Sequence, residues 1–251
     1  MHSRCQETLI EGRNAVLEAI KSGKSIDRII LSGDTKTDGK DESLKKIADL
    51  ARSKNIYLKY ENKDVLDKAS VTGRHQGVIA YAFGYEYADV KDILAIAKEK
   101  GEPPFLIILD SIEDPHNLGA IIRTANLAGA HGVIIPKHRA AGLTATVLRT
   151  SAGAANYTPV AQVANIARTI EELKKENIWF VCADMDGTVM YDLDLKGGIG
   201  LVIGNEGKGV SRIVREACDM IASIPMKGDI DSLNASVACG VLAYEIVRQR
   251  R

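Results

Sequence analysis

The chain has 251 residues, of which 45% are apolar and 26% charged, and its 33 basic side chains balance its 33 acidic ones. This composition excludes fibrous and disordered classes and fits one large or two modest globular domains. The apolar runs are far shorter than the roughly 20 residues of a membrane-spanning helix, and the first residues lack the apolar core of a secretory signal. We therefore expect a cytoplasmic protein with no membrane partner.

Residues 1–82 are predicted to form a small α/β domain. Their helical stretches carry apolar side chains at three-to-four spacing, and their strands are short runs rich in β-branched residues. In chain order the elements are a helix at 12–21, a strand at 26–31, a helix at 42–53, a strand at 56–60, a helix at 63–69 and a strand at 77–81. This part holds 15 Lys and Arg against 12 Asp and Glu, which permits RNA contact without indicating it.

Residues 83–88 are aromatic and acidic, and we interpret them as a linker to a second domain at 89–251. That domain is predicted to begin with a helix at 91–100. It continues with strands at 105–110, 132–136, 158–163, 178–184, 200–204 and 220–225, and helices at 118–130, 144–150, 166–176, 210–217 and 235–248. Strands that alternate with helices predict a mostly parallel sheet with helices on both faces.

Three polar loops follow predicted strands of this second domain, at 110–123, 202–210 and 232–236. Loops at the carboxyl ends of parallel strands are where α/β proteins build their sites. Three such loops in one domain predict one convergent pocket.

Several polar residues of these loops also have a structural explanation. Asn117 suits the N-cap of a helix that starts near Leu118, whereas Arg123 lies in an otherwise apolar helix, where a guanidinium needs an acceptor or a polar cleft. The helix dipole alone explains Glu206. Capping explains either Ser232 or Asn234, but not both.

Other signals favour no additional site. Histidines 75, 116, 131 and 138 share no ligand spacing, and the four cysteines form no CxxC pair, so no metal site is predicted. Residues 149–151 fit close backbone packing and a substrate-facing turn equally well. The missing glycine fingerprint disfavours a doubly wound nucleotide-binding domain.

The ordered motifs resemble those of one RNA-modifying family. NLGAIIR at 117–123, VIGNEGKGV at 202–210, and SIPM with SLNAS between 223 and 236 are similar to the three motifs of the SpoU branch of the SPOUT RNA methyltransferases. IEGRNAVLEAI at 10–20, HQGVIA at 75–80 and DPHNLGA at 114–120 resemble the 23S rRNA guanosine 2′-O-methyltransferase group. The resemblance covers almost the whole chain.

The resemblance implies a fold, a cofactor and a partner. The fold would be an N-terminal domain similar to ribosomal RNA-binding proteins, a flexible linker, and an α/β domain whose chain forms a deep trefoil knot. S-adenosyl-L-methionine would sit in the knot and contact Gly204, Ile224 and Leu233. The family also implies a homodimer through the C-terminal domain, with the active site near the interface.

The resemblance further implies that the chain methylates a ribose 2′-OH of RNA. The matching catalytic positions are Asn117, Arg123, Glu206, Ser232 and Asn234. An Arg whose pKa lies above about 12 is a poor base, so we interpret Arg123 as a phosphate ligand or as a stabiliser of the developing alkoxide. Glu206 is the alternative proton acceptor, and transfer through water or phosphate stays open.

RNA contact is also predicted for the N-terminal domain, with Arg13 and Asn14 as candidates, although helix-start roles explain them equally well. Three alternatives stay open for the chain as a whole. It could be a tRNA-directed homologue, an antibiotic-resistance rRNA methylase, or a catalytically silent RNA-binding or ribosome-assembly factor. The complete set of five matching polar residues disfavours the silent factor.

Overall fold

The computed structural model describes residues 5–22, 24, 26–33, 41–54, 56–229 and 232–251. The chain forms two compact units, and the main division falls between Glu86 and Tyr87. Both units are α/β, which confirms the predicted fold class. Within the described ranges, none of the helices combines the length and the apolarity that spanning a bilayer requires.

The N-terminal unit is a four-stranded sheet with helices on both faces. Its elements are β1 (Cys5–Glu11), α1 (Arg13–Lys21), β2 (Ile26–Ser32), α2 (Glu42–Ser53), β3 (Tyr57–Glu61), α3 (Lys63–Ala69) and β4 (Val78–Tyr85). The strand order is β1-β4-β2-β3, and only β2 and β3 run parallel. Buried residues of α1 and α2 pack on one face, while Leu66 of α3 packs against Ile30 and Ile79 on the other.

One strand of this unit was not predicted, and another is longer than predicted. β1 pairs with β4 along its whole length, from Cys5 opposite Tyr85 to Glu11 opposite Ile79. β1 is an edge strand that is held by its hydrogen bonds to β4. Its sequence, CQETLIE, shows no clear alternation of apolar and polar residues, so the pattern did not indicate a strand. The same pairing extends β4 to Tyr85, so the strand overlaps the proposed linker at 83–88.

The carboxylate of Glu11 holds the loop that follows α3. It accepts hydrogen bonds from Ser70 Oγ at 2.6 Å, Val71 N at 2.7 Å and Thr72 Oγ1 at 2.5 Å. The hydrogen bonds from Ser70 and Thr72 favour the ionised form and lower the pKa of Glu11 to about 2. The loop is therefore ordered although Val71 is 84% exposed.

Replacement of Glu11 by Gln should loosen this loop. The amide offers one acceptor oxygen instead of two, so we expect faster hydrogen exchange at the amides of Val71 and Thr72. Because the folded pKa lies below the ordinary value of 4.5, the stabilisation from Glu11 is present above about pH 4.5 and is lost as the pH falls through about 2. Exchange rates that match the wild type at pH 7 would contradict this role.

The C-terminal unit contains six parallel strands in the order β10-β8-β9-β5-β6-β7. The strands are β5 (Phe105–Asp110), β6 (Gly132–Pro136), β7 (Val160–Val163), β8 (Ile178–Val189), β9 (Gly198–Gly204) and β10 (Met220–Ser223). The helices are α4 (Val90–Lys100), α5 (Pro115–Leu127), α6 (Ala145–Thr150), α7 (Ile166–Lys174), α8 (Arg212–Glu216) and α9 (Ala235–Gln249). Short 3-10 helices lie at Ala154–Asn156 and Met190–Asp192.

The two central strands bring two of the polar loops together. β5 and β9 pair in register to their last residues, Asp110 and Gly204. All of β5 is buried, and β9 is buried as far as Ile203, as expected for strands covered on both faces. The first and second polar loops therefore leave the sheet side by side.

The segment before the first 3-10 helix serves close packing. A side chain at Gly119 would place its Cβ 2.6 Å from Thr150 Cβ, so α5 and α6 approach each other through this glycine. Ser151 is fully buried and its Oγ donates to the Leu148 carbonyl at 2.9 Å. Of the two interpretations of residues 149–151, these contacts favour packing.

Candidate active site

Hydrogen bonds tie the first two polar loops to each other. The buried carboxylate of Asp110, at the end of β5, accepts from the backbone N–H of Ser211 at 2.7 Å. Asn205, after β9, donates from Nδ2 to the Ser111 carbonyl at 3.0 Å. Each loop is thus fixed by a polar group of the other.

Gly204 allows the second loop to fold back on itself. Asn205 N donates to the Gly209 carbonyl at 3.1 Å, and Gly209 N donates to the Asn205 carbonyl at 2.8 Å. A Cβ at Gly204 would lie 2.2 Å from both Gly209 C and Val210 N, so no side chain fits there. The closed loop leaves Glu206 exposed at its tip.

The predicted N-cap role of Asn117 is wrong. α5 begins at Pro115, three residues before the predicted start at Leu118, and Asp114 caps it by accepting from His116 N at 2.9 Å. The side chain of Asn117, 8% exposed, is therefore free to bind elsewhere. Its Nδ2 donates to Glu206 Oε1, and its Oδ1 accepts from Asn234 Nδ2 at 3.0 Å.

The third loop supplies both a cap and a partner for Asn117. Asn234 is the N-cap of α9, and its Oδ1 accepts from Ser236 N at 2.9 Å and from Ser236 Oγ at 2.6 Å. Its amide nitrogen remains available for Asn117. One residue from each polar loop, Asn117, Glu206 and Asn234, thus joins a single hydrogen-bonded cluster.

A cavity of about 380 Å³ lies beside this cluster. The residues predicted to contact the cofactor, Gly204, Ile224 and Leu233, all line it, as do Glu206 and Ser232. The remaining wall is mostly apolar and glycine-rich, with Ala183, Asp184, Met185, Ile203, Asn205, Gly207, Lys208, Gly209, Ala222, Met226, Ala235, Ala238 and Leu242. The volume of the cavity falls within the range of roughly 300–1,000 Å³ that is typical of ligand pockets.

Asp184 is a cavity residue that the sequence interpretation missed. It lies on β8 next to a buried run, and Arg215 Nε approaches its carboxylate at 3.2 Å. The sequence does carry a signal for Asp184, because it is a polar residue directly after the apolar run IWFVCA. The three polar loops were found from the same arrangement of a polar residue after an apolar strand.

Arg123 does not join the cluster of its own chain. Arg123 lies six residues after Asn117 in α5. In an α-helix this spacing separates the two residues by about 9 Å along the axis and by about 120° around it. Its side chain is exposed, and among the described residues none hydrogen-bonds or pairs with it. Of the two expected surroundings, an acceptor is absent from the described residues of its own chain, and the exposed position leaves the guanidinium open to solvent.

In the N-terminal unit, Arg13 has a structural role. Its guanidinium donates to both carboxylate oxygens of Asp41, at 2.5 and 3.1 Å, and to the Gln76 carbonyl at 3.0 Å. Asp41 also caps α2 through Ser43 N at 3.1 Å. Asn14, by contrast, is exposed in the first turn of α1.

The described residues contain no group of three or more His, Cys, Asp or Glu side chains that could hold a metal ion.

Comparison with known families matches both units. Residues 104–244 match the SpoU rRNA Methylase family, and residues 9–88 match the RNA 2′-O ribose methyltransferase substrate binding family. The chain therefore belongs to the SpoU methylase family, as its motifs predicted. It is an RNA methyltransferase of the SpoU/TrmH type.

Curated relatives are similar to this chain along nearly its full length. YacO of Bacillus subtilis, provisionally assigned to the TrmH family of tRNA/rRNA methyltransferases, is 45% identical over 98% of this chain and 97% of its own length. An uncharacterized tRNA/rRNA methyltransferase of Mycolicibacterium vanbaalenii is 42% identical over 100% of this chain and 79% of its own.

Solved structures share the fold. The SpoU methyltransferase AviRb of Streptomyces viridochromogenes, in complex with S-adenosylmethionine, has a TM-score of 0.62 and 26% identity over 97% of this chain and 90% of its own. The TrmH/SpoU tRNA modifying enzyme of A. aeolicus has a TM-score of 0.54 and 26% identity over 63% of this chain and 84% of its own.

S-adenosylmethionine is the cofactor of this family and of this chain, as predicted. The residues present fit it. The apolar cavity wall suits an adenosine and an aliphatic chain, and Gly204, Gly207 and Gly209 line the cavity without side chains, so a ligand can approach the backbone there.

Proposed function

We propose that the protein methylates the ribose 2′-OH of a guanosine in 23S rRNA. The observation that carries this proposal is the hydrogen-bonded cluster of Asn117, Glu206 and Asn234, in which Glu206 also lines the cofactor cavity. The motif resemblance to the 23S rRNA guanosine group supports the choice of nucleotide. RNA rather than DNA follows from chemistry on a 2′-OH.

Gly204, Ile224 and Leu233 are the proposed cofactor contacts. When bound, S-adenosylmethionine supplies a methyl group on a positively charged sulfur, which keeps the bonding electrons as the methyl leaves. We also propose that the chain around this cavity forms the trefoil knot of the family. The backbone of Gly209 and Val210 passes so close to Gly204 that no side chain fits between them, and such close packing of the chain supports a knot.

Glu206 is the proposed acceptor of the 2′-OH proton. Its carboxylate is exposed at the loop tip and lines the cavity, so an RNA hydroxyl can reach it. Ser232, also exposed at the wall, is placed to orient the acceptor hydroxyl. The proton passes to Glu206 as the hydroxyl oxygen bonds to the methyl carbon, while Asn117 and Asn234 hold the carboxylate in position.

Arg123 is proposed to act electrostatically, as a ligand of RNA phosphate or of the developing alkoxide. It is exposed on α5, four residues before Leu127, which is 65% exposed on the same helix face. Val237 and Tyr244, 49% and 50% exposed, lie on one face of α9, which packs against α5. This exposed apolar surface supports a homodimer in which Arg123 serves the second copy's site.

The N-terminal domain, proposed as 1–82 with a linker at 83–88 and the methyltransferase domain at 89–251, is the proposed reader of RNA shape. The match to a substrate-binding family supports this role. Asn14 remains a candidate RNA contact because it is exposed. Arg13 is a weaker one, since Asp41 already occupies its guanidinium. The proposed place of action is the cytoplasm, with the ribosomal RNA.

A tRNA target is the second candidate, because the curated relatives are named for both tRNA and rRNA. Mapping 2′-O-methyl groups across rRNA and tRNA, in cells with and without the gene, separates the two. Loss of a methyl from a 23S rRNA guanosine is the expected result. Loss from a tRNA nucleotide would replace the substrate, and an unchanged map would overturn the proposed activity.

A further inference from the structure

We propose that Lys137 and Arg139 bind the phosphate backbone of the substrate RNA beside the first polar loop. Both residues lie in the connection that follows β6, residues 137–141, which we call the basic loop. The inference rests on the proposed function only for the identity of the RNA, because the phosphate backbones of rRNA and tRNA are chemically the same. It adds to that function the part of the C-terminal unit that receives the RNA strand.

The basic loop leaves the sheet at the same edge as the first polar loop. Ile108 of β5 pairs in parallel with Ile134 of β6, and each strand ends two residues later, at Asp110 and Pro136. Because β9 lies on the other side of β5, the first polar loop has the second polar loop on one side and the basic loop on the other. An RNA strand that reaches the cofactor cavity from the side of β6 would pass over the basic loop.

Backbone hydrogen bonds hold both ends of the basic loop. Lys137 N donates to the Val163 carbonyl, at the end of β7, at 2.8 Å. Ala141 N donates to the carbonyl of Ile112, in the first polar loop, also at 2.8 Å. Ile112 is itself buried. The backbone that carries Lys137 and Arg139 is therefore fixed relative to the first polar loop.

The two cations are exposed and have no partner in the described part of the chain. Other exposed cations are paired, as Arg168 is with Glu172 at 2.9 Å. An unpaired guanidinium or ammonium group can bind a phosphate without first releasing a carboxylate. Since Lys137 and Arg139 are two residues apart, their Cα atoms lie within about 7 Å of each other, and both side chains can serve one short stretch of RNA backbone.

The first two polar loops would by themselves repel RNA. Glu113, Asp114 and Glu206 are exposed carboxylates of these loops, and the 33 basic side chains of the whole chain only balance its 33 acidic ones. A polyanion therefore needs local cations at this edge of the sheet. The basic loop supplies two, and among the described residues neither forms an ion pair with Glu113 or Asp114. They are thus available to phosphate and do not serve to neutralise the neighbouring loop.

Two double variants separate charge from shape. Lys137→Gln with Arg139→Asn removes both charges, and Asn suits position 139 because the φ of 58° there is left-handed. Lys137→Arg with Arg139→Lys keeps both charges.

The matched control is Lys175→Gln with Lys196→Gln. These lysines are also exposed and have no side-chain partner within the described ranges. They precede the parallel strands β8 and β9, so they lie at the opposite edge of the same sheet. The control therefore removes the same amount of charge away from the cofactor cavity.

The measurement is filter binding of the full-length protein to RNA between about 50 and 200 mM salt, with a 23S rRNA transcript and a tRNA transcript in separate arms. For the neutral variant we expect binding about tenfold weaker. The slope of log affinity against log salt should be shallower by about 1.4–1.8, since each phosphate contact contributes about 0.7–0.9. The charge-retaining variant and the control should keep the wild-type slope. The cofactor affinity of the neutral variant, measured by calorimetry, should equal that of the wild type.

Three results would overturn the inference. A wild-type slope for the neutral variant on both RNAs would mean that neither cation contacts phosphate. An equal loss of slope in the lysine control would mean that total charge, and not the basic loop, determines binding. A loss in the charge-retaining variant would mean that shape matters and charge does not. None of these depends on methyl transfer, so failure of the proposed function would be seen separately in the methylation map.

Discussion

Mixing Arg123→Ala protein with Glu206→Gln protein should restore about a quarter of wild-type methyltransferase activity, although each variant alone is inactive. In the proposed homodimer, random exchange of subunits would make half of the dimers mixed, and each mixed dimer would have one site with both an intact Arg123 and an intact Glu206. The physical reason is that Arg123 lies exposed and away from the cluster of its own chain. The assay is methyl transfer to RNA after denaturation and joint refolding.

A matched control uses two residues of one cluster. Asn117 and Glu206 bind each other within a chain, so a mixture of Asn117→Ala and Glu206→Gln should regain no activity. The mixture of Arg123→Ala and Glu206→Gln could instead show only the summed activity of the two separate variants. Arg123 would then act in the site of its own chain or have no catalytic role. Each single variant should lose activity on the order of 10²–10³-fold, as removal of a preorganised electrostatic group does elsewhere.

Gly204→Ala should abolish S-adenosylmethionine binding. The new Cβ would lie 2.2 Å from the backbone of Gly209 and Val210, which cannot retreat without opening the two hydrogen bonds between Asn205 and Gly209. Since that loop forms one wall of the cavity, we expect affinity to fall by at least about 100-fold, or about 2.7 kcal/mol. Isothermal titration calorimetry measures the loss.

Gly207→Ala is the matched control in the same loop. A Cβ at Gly207 meets only Asn205 Oδ1, at 3.5 Å, so affinity should stay within a few-fold of the wild type. Equal affinity of Gly204→Ala and wild type would show that the loop adjusts and that Gly204 is not required. Weak binding by both variants would instead indicate that the loop rejects any added side chain.

Much of the fold was predictable because its helices carry a clear apolar period and its central strands are unbroken apolar runs. The three polar loops were found for the same reason, since each follows an apolar strand. Asp114 could also have been recognised as the cap of α5, because Pro115 is well suited to the first helical position. That assignment alone would have released Asn117 from its supposed cap role.

Other features depend on tertiary structure that periodicity does not encode. β1 is an edge strand defined by its pairing with β4. Arg123 is exposed because its position around α5 turns it away from Asn117, although its neighbours in sequence are apolar. The structural role of Arg13 required Asp41, 28 residues away, to be placed beside it. The trefoil knot could only be implied by the family, because unknotted connections are the strong default.

The cluster joins residues far apart in the chain: Asn117 binds Glu206 across 89 residues and Asn234 across 117. Closing loops of that length is entropically costly and slow compared with forming local helices. During synthesis, which proceeds from the N-terminus, the N-terminal unit can fold well before Asn234 has been made. The N-terminal unit can therefore mature first, and methyl transfer becomes available only after the third polar loop has been synthesised.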